Sequence, residues 1–451
     1  MTDRDAGPVS EAADGAALES GIEPPPAVTP YKPERQADAQ GPVKRKRRKR
    51  KRGRKVFAKD PSHVVSPQTG SPVTPGDART SAAATLNPAS NLPAGAKTSA
   101  RTVAADANRA ARAELPVFAA LDLGTNNCRL LVAIPGRPGQ FRVIDAFSRI
   151  VRLGEGLTSS GRLSQAAMDR AVEALKVCGE KLAVRKIRRS RLIATEACRS
   201  AENGEEFIDR VKNEAGLELE IIDRQTEARL AVSGCGPLVD RGTQGVVLFD
   251  IGGGSSEIAL IDVSRHRTPR LASHIVAWTS LPVGVVSLAE RFGGRDVTPE
   301  IFEDMVREVG GMLADFEAPP AEDLNGVDSG FHMIGTSGTV TTLAGVYLNL
   351  PRYDRRQVDG LWMSAEEVTA MQDRLVALDF EARAANPCIG PDRADLVLAG
   401  CAILEAIRRR FPASRMRVAD RGLREGLLTE MMAADGVWRR SRPRPPFQRS
   451  K

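Results

Sequence analysis

The chain has 451 residues, 41% hydrophobic and 27% charged, with a formal net charge of +8. That length allows two or three domains and a sizeable core, while six scattered cysteines without a C-x-x-C argue against a disulfide framework or a zinc site. Four well-separated histidines speak against a histidine metal cage or a Ser-His-Asp hydrolase, and no apolar run reaches the ~18 residues of a membrane span, so a cytoplasmic protein with no membrane partner is expected.

Residues 1–114 are rich in Ala, Pro, Ser, Thr, Asp and Gly, with Tyr31 and Phe57 as their only aromatics. Too little apolar surface is present to offset chain entropy, so a disordered tail is expected. Within it "KRKRRKRKRGRK" (44–55) carries eleven basic residues, which leaves the rest of the chain net negative. From Val117 onward short β-branched or apolar runs alternate with amphipathic helices. "VFAALDLG", "CRLLVAI" and "QFRVIDAFSRIVRLG" read as three strands. A helix over 164–186, strand "RLIATEA", a helix over 202–215, strand "LELEIID" and a helix from Arg224 follow. The order then repeats: strands 246–251, 256–262 and 273–282, a helix over 298–315, strand "FHMIGTS" and a helix over 337–348. Helices near 364–378 and 392–411, strand "RMRVAD" and a helix over 422–434 complete the pattern.

The halves are related by duplication. "LDLGTNNCRLLVAI" superposes on "FDIGGGSSEIALI", placing Asp122 over Asp250, Gly124 over Gly252 and Arg129 over Glu257. "IATEACR" resembles "IGTSGTV", with Thr195 over Thr336, and "IIDRQTEARL" resembles "VADRGLREGL". Two like turns in a duplicated domain imply two loops facing one another across a cleft.

Those loops suit phosphate. At Gly124, Thr125 and Asn126, and again at Gly252, Gly253, Gly254 and Ser255, a strand turns sharply and offers successive backbone N–H groups. "GTSGT" adds Thr336, Ser337, Gly338 and Thr339 at the start of a helix. Asp122 and Asp250, each at the end of a strand, can hold Mg²⁺, which keeps its waters and needs few carboxylates. A turn cap is the plainer use of one such aspartate; two at matched positions favour the metal.

In order, D-x-G-[ST]-N at 122–126, E-A-R-L at 227–230, D-I-G-G-G-S-x-E at 250–257 and G-T-S-G-T at 335–339 resemble the exopolyphosphatase/guanosine pentaphosphate phosphohydrolase (Ppx/GppA) family. "RAD" at 393–395 and "DRGLREGLL" at 420–428 extend the resemblance over roughly 116–435. It implies an α/β fold of two ribonuclease-H-like, actin/sugar-kinase-like domains around a cleft, expected over 115–240 and 241–435, with a flexible tail at 436–451. It also implies Mg²⁺-assisted removal of the terminal phosphate of inorganic polyphosphate, or of the 5′ γ-phosphate of guanosine pentaphosphate, and it admits a homodimer. Glu227 resembles the catalytic glutamate; alone, a first-turn glutamate reads as a complement to the helix dipole. Glu257 is implied to hold a second water or the metal. Arg129 and Arg199 suit phosphate charge or ordinary ion pairs equally well.

The chain departs from the pattern where Thr226 replaces an acid that many members carry before the catalytic glutamate. Ser287 stands where some carry arginine, and the H-D pair of a C-terminal helical domain is absent, so the short two-domain form is expected. A small-molecule kinase of the same superfamily is the alternative enzyme. A nucleic-acid-binding protein rests on 44–55 alone, a tract without the aromatics that stack on bases.

Overall fold

The computed structural model describes residues 115–268, 270–319 and 330–438. The expected tail over 1–114, its basic run at 44–55 and the last residues of the expected C-terminal tail lie outside the described residues. Among the described residues, eleven strands form two sheets. The first holds β1 (Val117–Leu123), β2 (Asn127–Pro135), β3 (Phe141–Ile150), β4 (Ile187–Ala194) and β5 (Glu220–Ile221), in the order β3-β2-β1-β4-β5. The second holds β6 (Gly245–Ile251), β7 (Ser256–Asp262), β8 (Ile275–Leu281), β9 (Phe331–Thr336), β10 (Trp362–Ser364) and β11 (Arg415–Ala419), in the order β10-β11-β9-β6-β7-β8. In both, the first three strands pair antiparallel and the first runs parallel to the strand after the crossover. The repeat seen in the sequence is therefore a repeat of topology, and the fold is the two-domain, actin-like one.

The helices are α1 (Gln165–Ala183), α2 (Glu196–Ser200), α3 (Gly204–Ala215), α4 (Arg224–Cys235), α5 (Val285–Phe292), α6 (Pro299–Ala314), α7 (Ser337–Tyr347), α8 (Ala365–Val376), α9 (Val397–Arg410) and α10 (Leu423–Ala434), with shorter turns between. Strand alternation sorts the cores. Ala119 and Leu121 face α1 and α3, whereas Phe118 and Ala120 face Leu230 of α4 and Leu427 of α10. Val247 and Phe249 face α6, α7 and α9; Val246 and Leu248 face Ala231, Val232 and Cys235 of α4. Helix α4 thus packs on both sheets. Helix α10, within the 241–435 stretch expected for the second domain, returns to β1. Glycines let α4 and α10 approach: a Cβ on Gly234 would lie 2.0 Å from the Gly422 carbonyl oxygen, and one on Gly426 2.1 Å from that of Leu230.

Several elements differ from expectation: the strand expected over 217–223 shortens to Glu220–Ile221, and β10 forms where no strand is expected. The strand expected through residue 197 ends at Ala194, because Thr195 caps α2. Helix α5 forms where no element is expected; the amides of Val285 and Val286 at its start donate to the carbonyls of Gly252 and Gly253 (2.9 and 2.8 Å), an anchor no local periodicity reveals.

Candidate active site

Each aspartate at the end of a central strand leads into the same turn. The Gly124 amide donates to the Asn127 carbonyl, and that of Gly252 to the Ser255 carbonyl, both at 2.9 Å. Each turn is also pinned from behind. The amides of Val151 and Arg152 donate to the Asn126 carbonyl and that of Gly154 to the Thr125 carbonyl, as α5 does for Gly252 and Gly253. With the carbonyls held there, the amides of Thr125, Asn126, Gly253, Gly254 and Ser255 find no protein acceptor among the described residues. Unpaired N–H groups on two adjoining turns form an anion-binding concavity.

The turns touch. A Cβ on Gly253 would lie 2.9 Å from Thr125 Cβ, and one on Gly254 2.8 Å from Thr125 Oγ1. None of Gly252, Gly253 and Gly254 has positive φ, so Gly253 and Gly254 are required by the abutting loop, and Gly252 by the Ser255 carbonyl of its own turn (2.8 Å), not by a left-handed backbone. The third loop behaves differently. Thr336 Oγ1 donates to the Arg421 carbonyl at 2.5 Å, Ser337 Oγ to the Ile251 carbonyl, and Thr339 packs against Gly400 of α9. The hydroxyls of Thr336 and Ser337 are thus committed to the protein, and the Gly338 amide donates to Ser337 Oγ at 2.6 Å. A Cβ on Gly338 would meet open space.

Four carboxylates gather beside the paired turns. Asp122 and Asp250 are cross-strand partners of Arg129 and Glu257, so the superposed pairs occupy equivalent places. Neither aspartate accepts a hydrogen bond among the described residues. Burial pushes Asp122 above its ordinary value against the pull of Arg424 and Arg129. Burial, then Glu257 and Asp122, pushes Asp250 up to about 7. Glu257 is buried and also raised by burial, although the Ser255 and Ser280 hydroxyls donate to its Oε1 at 2.7 and 2.9 Å and favour its charged form.

Glu227 reaches this group from α4. Asp223 caps that helix, accepting from the Thr226 amide at 2.7 Å, and the Thr226 hydroxyl donates to the same carboxylate. The residue that replaces the second acid therefore serves the cap. Burial, then Glu257, holds the Glu227 carboxyl well above its ordinary value, with Arg199 opposing. Arg199 donates to Oε2 at 3.1 Å through both terminal nitrogens; Oε1 accepts nothing among the described residues. A buried carboxylate with one oxygen unclaimed is placed to take a proton from water.

No three His, Cys, Asp or Glu side chains among the described residues form a metal cage. Mg²⁺ needs none, since one or two carboxylates with water and phosphate oxygens suffice. Asp122 and Asp250, without donors and amid other acids, fit that ion.

The chain matches the Ppx/GppA phosphatase family over residues 134–435. It belongs to the Ppx/GppA phosphatase family. It is 29% identical over 322 residues to "Exopolyphosphatase 2" of Mycobacterium tuberculosis, covering 68% of this chain and 96% of that protein. It is 29% identical over 324 residues to the guanosine-5′-triphosphate,3′-diphosphate pyrophosphatase of Photobacterium profundum, covering 70% of this chain and 60% of that one. The crystal structure of the Aquifex aeolicus Ppx/GppA family member superposes with a TM-score of 0.57 at 28% identity, over 71% of this chain and 99% of that one. Membership makes the chain a phosphatase of the hydrolase class.

Beside the site of this Ppx/GppA phosphatase lie residues to which the sequence assigns no role. Arg424, at the start of α10, is a second guanidinium acting on Asp122 and Asp250 beside Arg129. Ser287 accepts from the Gly284 amide at 2.9 Å and so caps the helix that props the second turn. Glu196 lies within the quoted "IATEACR", in a stretch expected as strand, and is assigned no role there. No described helix is long and apolar enough to cross a membrane.

Proposed function

We propose that the chain hydrolyses the terminal phosphoanhydride of inorganic polyphosphate or the 5′ γ-phosphate of guanosine pentaphosphate. The observation carrying this reading is the pairing of unclaimed backbone N–H groups with a glutamate that keeps one oxygen free. Oε1 of Glu227 takes a proton from water as the water oxygen bonds to the terminal phosphorus. The bond to the bridging oxygen breaks, the shortened chain leaves with that electron pair, and orthophosphate is released. The amides of Thr125, Asn126, Gly253, Gly254 and Ser255 receive non-bridging oxygens, stabilising charge without reorganising. Asp122 and Asp250 would hold Mg²⁺, which neutralises phosphate oxygens when bound.

We also assign the basic run at 44–55 a role as a capture arm for long polyanions, with polyphosphate ahead of RNA, and the protein a cytoplasmic setting, which its six buried free thiols favour. The test is orthophosphate release from polyphosphate and from guanosine pentaphosphate, with and without Mg²⁺ and without any acceptor. Release that requires an added hydroxyl acceptor would favour the kinase alternative.

A further inference from the structure

We propose that Glu196 is a positioning residue for the hydrolytic reaction: it occupies the side-on edge of the Arg199 guanidinium and so keeps the second oxygen of Glu227 open to water. The inference rests on Glu227 being the base.

Guanidinium and carboxylate groups prefer a two-pronged fork, each nitrogen on its own oxygen. Arg199 does not meet Glu227 in that way. Nη1 and Nη2 both converge on Oε2 at 3.1 Å, and Oε1 is left without a donor. Its side-on edge goes to Glu196 instead, whose Oε2 accepts from Nε at 3.1 Å and from Nη2. Nη1 is held further by the Ile222 carbonyl at 2.6 Å. Every donor nitrogen of Arg199 is thus engaged, and only its end is presented to Glu227.

Glu196 is itself held. Its Oε1 accepts from Arg224 Nη2 at 2.8 Å and from Ser200 Oγ at 2.6 Å, and its Oε2 from Arg224 Nε at 3.3 Å. The residue is 7% exposed, and its Cγ would lie 3.2 Å from a Cβ on Gly254, so the second glycine turn closes over it. A helix-start acid that served only the helix dipole would need neither arginine. With Glu196 gone, the side-on edge of Arg199 is vacant and Glu227 can turn into it, engaging both oxygens and losing its site for water.

The test is a double-mutant cycle on orthophosphate release from polyphosphate. Glu196→Gln should lower kcat by about 10–10²-fold, the scale of a misplaced catalytic group, with KM within a few-fold because the phosphate turns are untouched. Glu196→Asp should recover part of the loss. In an Arg199→Gln background the same Glu196→Gln change should cost less than about two-fold, since the group it positions is absent. If Glu196→Gln fails to melt as a folded protein, Arg224→Gln, which loosens Glu196, replaces it and should give the same kcat loss and the same disappearance. Equal losses in both backgrounds, or a loss confined to KM, overturn the proposal. Glu227→Gln separates the two readings: full turnover there removes the base and this inference with it, whereas an inactive Glu227→Gln with an additive cycle removes this inference alone.

Discussion

Replacing Gly253 with alanine strains the paired turns where they have least room. The new Cβ would lie 2.9 Å from Thr125 Cβ, 3.1 Å from the Asn126 nitrogen and 3.3 Å from Asn126 Cβ, against 3.4–4 Å for ordinary contact. Two of those atoms are close to the backbone of the opposite turn, so no flexible tip can swing aside. Gly253 cannot retreat either, because the Val286 amide holds its carbonyl at 2.8 Å and Gly284 packs directly behind it. The turns must separate by several tenths of an ångström. Overpacking of this kind costs about 1–3 kcal/mol, and displacing phosphate donors on that scale lowers turnover by about 10–10²-fold. Gly338 is the control, because a Cβ there meets nothing within 4 Å; Gly338→Ala should leave stability within about 0.5 kcal/mol. Thermal melts and orthophosphate release, run side by side on both variants, check this. Wild-type behaviour from Gly253→Ala, or an equal drop in Tm from Gly338→Ala, refutes the reasoning.

Glu227→Gln keeps shape and hydrogen bonding but removes the base, so turnover should fall by about 10² or more while substrate still binds; single-turnover kinetics beside a binding titration would show it. Asp250 has a folded-state pKa raised from 3.8 to about 7, so the native state holds its proton more tightly than the unfolded chain does. Stability should therefore fall as pH rises through that window and level off above it; melts at pH 5 and pH 8 should show Asp250→Asn flattening the slope and Mg²⁺ raising the Tm of the wild type more than that of the variant. Removing residues 1–111 should preserve turnover on short substrates but raise KM for long polyphosphate at low salt, an effect that fades as salt rises. Equal KM values for both forms at low salt would take 44–55 out of the mechanism.

The repeated turns were legible because they are local. Strand, aspartate and glycine follow one another in sequence, so superposing residues 122–129 on 250–257 already placed Asp122 over Asp250 and Arg129 over Glu257, and the structure pairs Asp122 with Arg129 and Asp250 with Glu257 across the strands. What the glycines are for was less visible. Sequence alone suggests a special φ or an approaching anion, whereas the missing Cβ of Gly253 makes room for Thr125 and Asn126, over 120 residues away. The hydroxyls of 336–339 escaped for the same reason: their directions are set by the carbonyls of Arg421 and Ile251 and by Gly400, which no local pattern announces. Glu196 is the sharpest case. In the sequence it lies inside an expected strand, and only when Arg224 and Arg199 close on it does its charge gain a purpose. A backbone nest can be spelled by a few consecutive residues, but the free oxygen of Glu227 depends on how one guanidinium divides its donors among Glu196, Ile222 and Glu227. That division is settled by tertiary packing, and it is there that phosphatases sharing these turns can differ in rate.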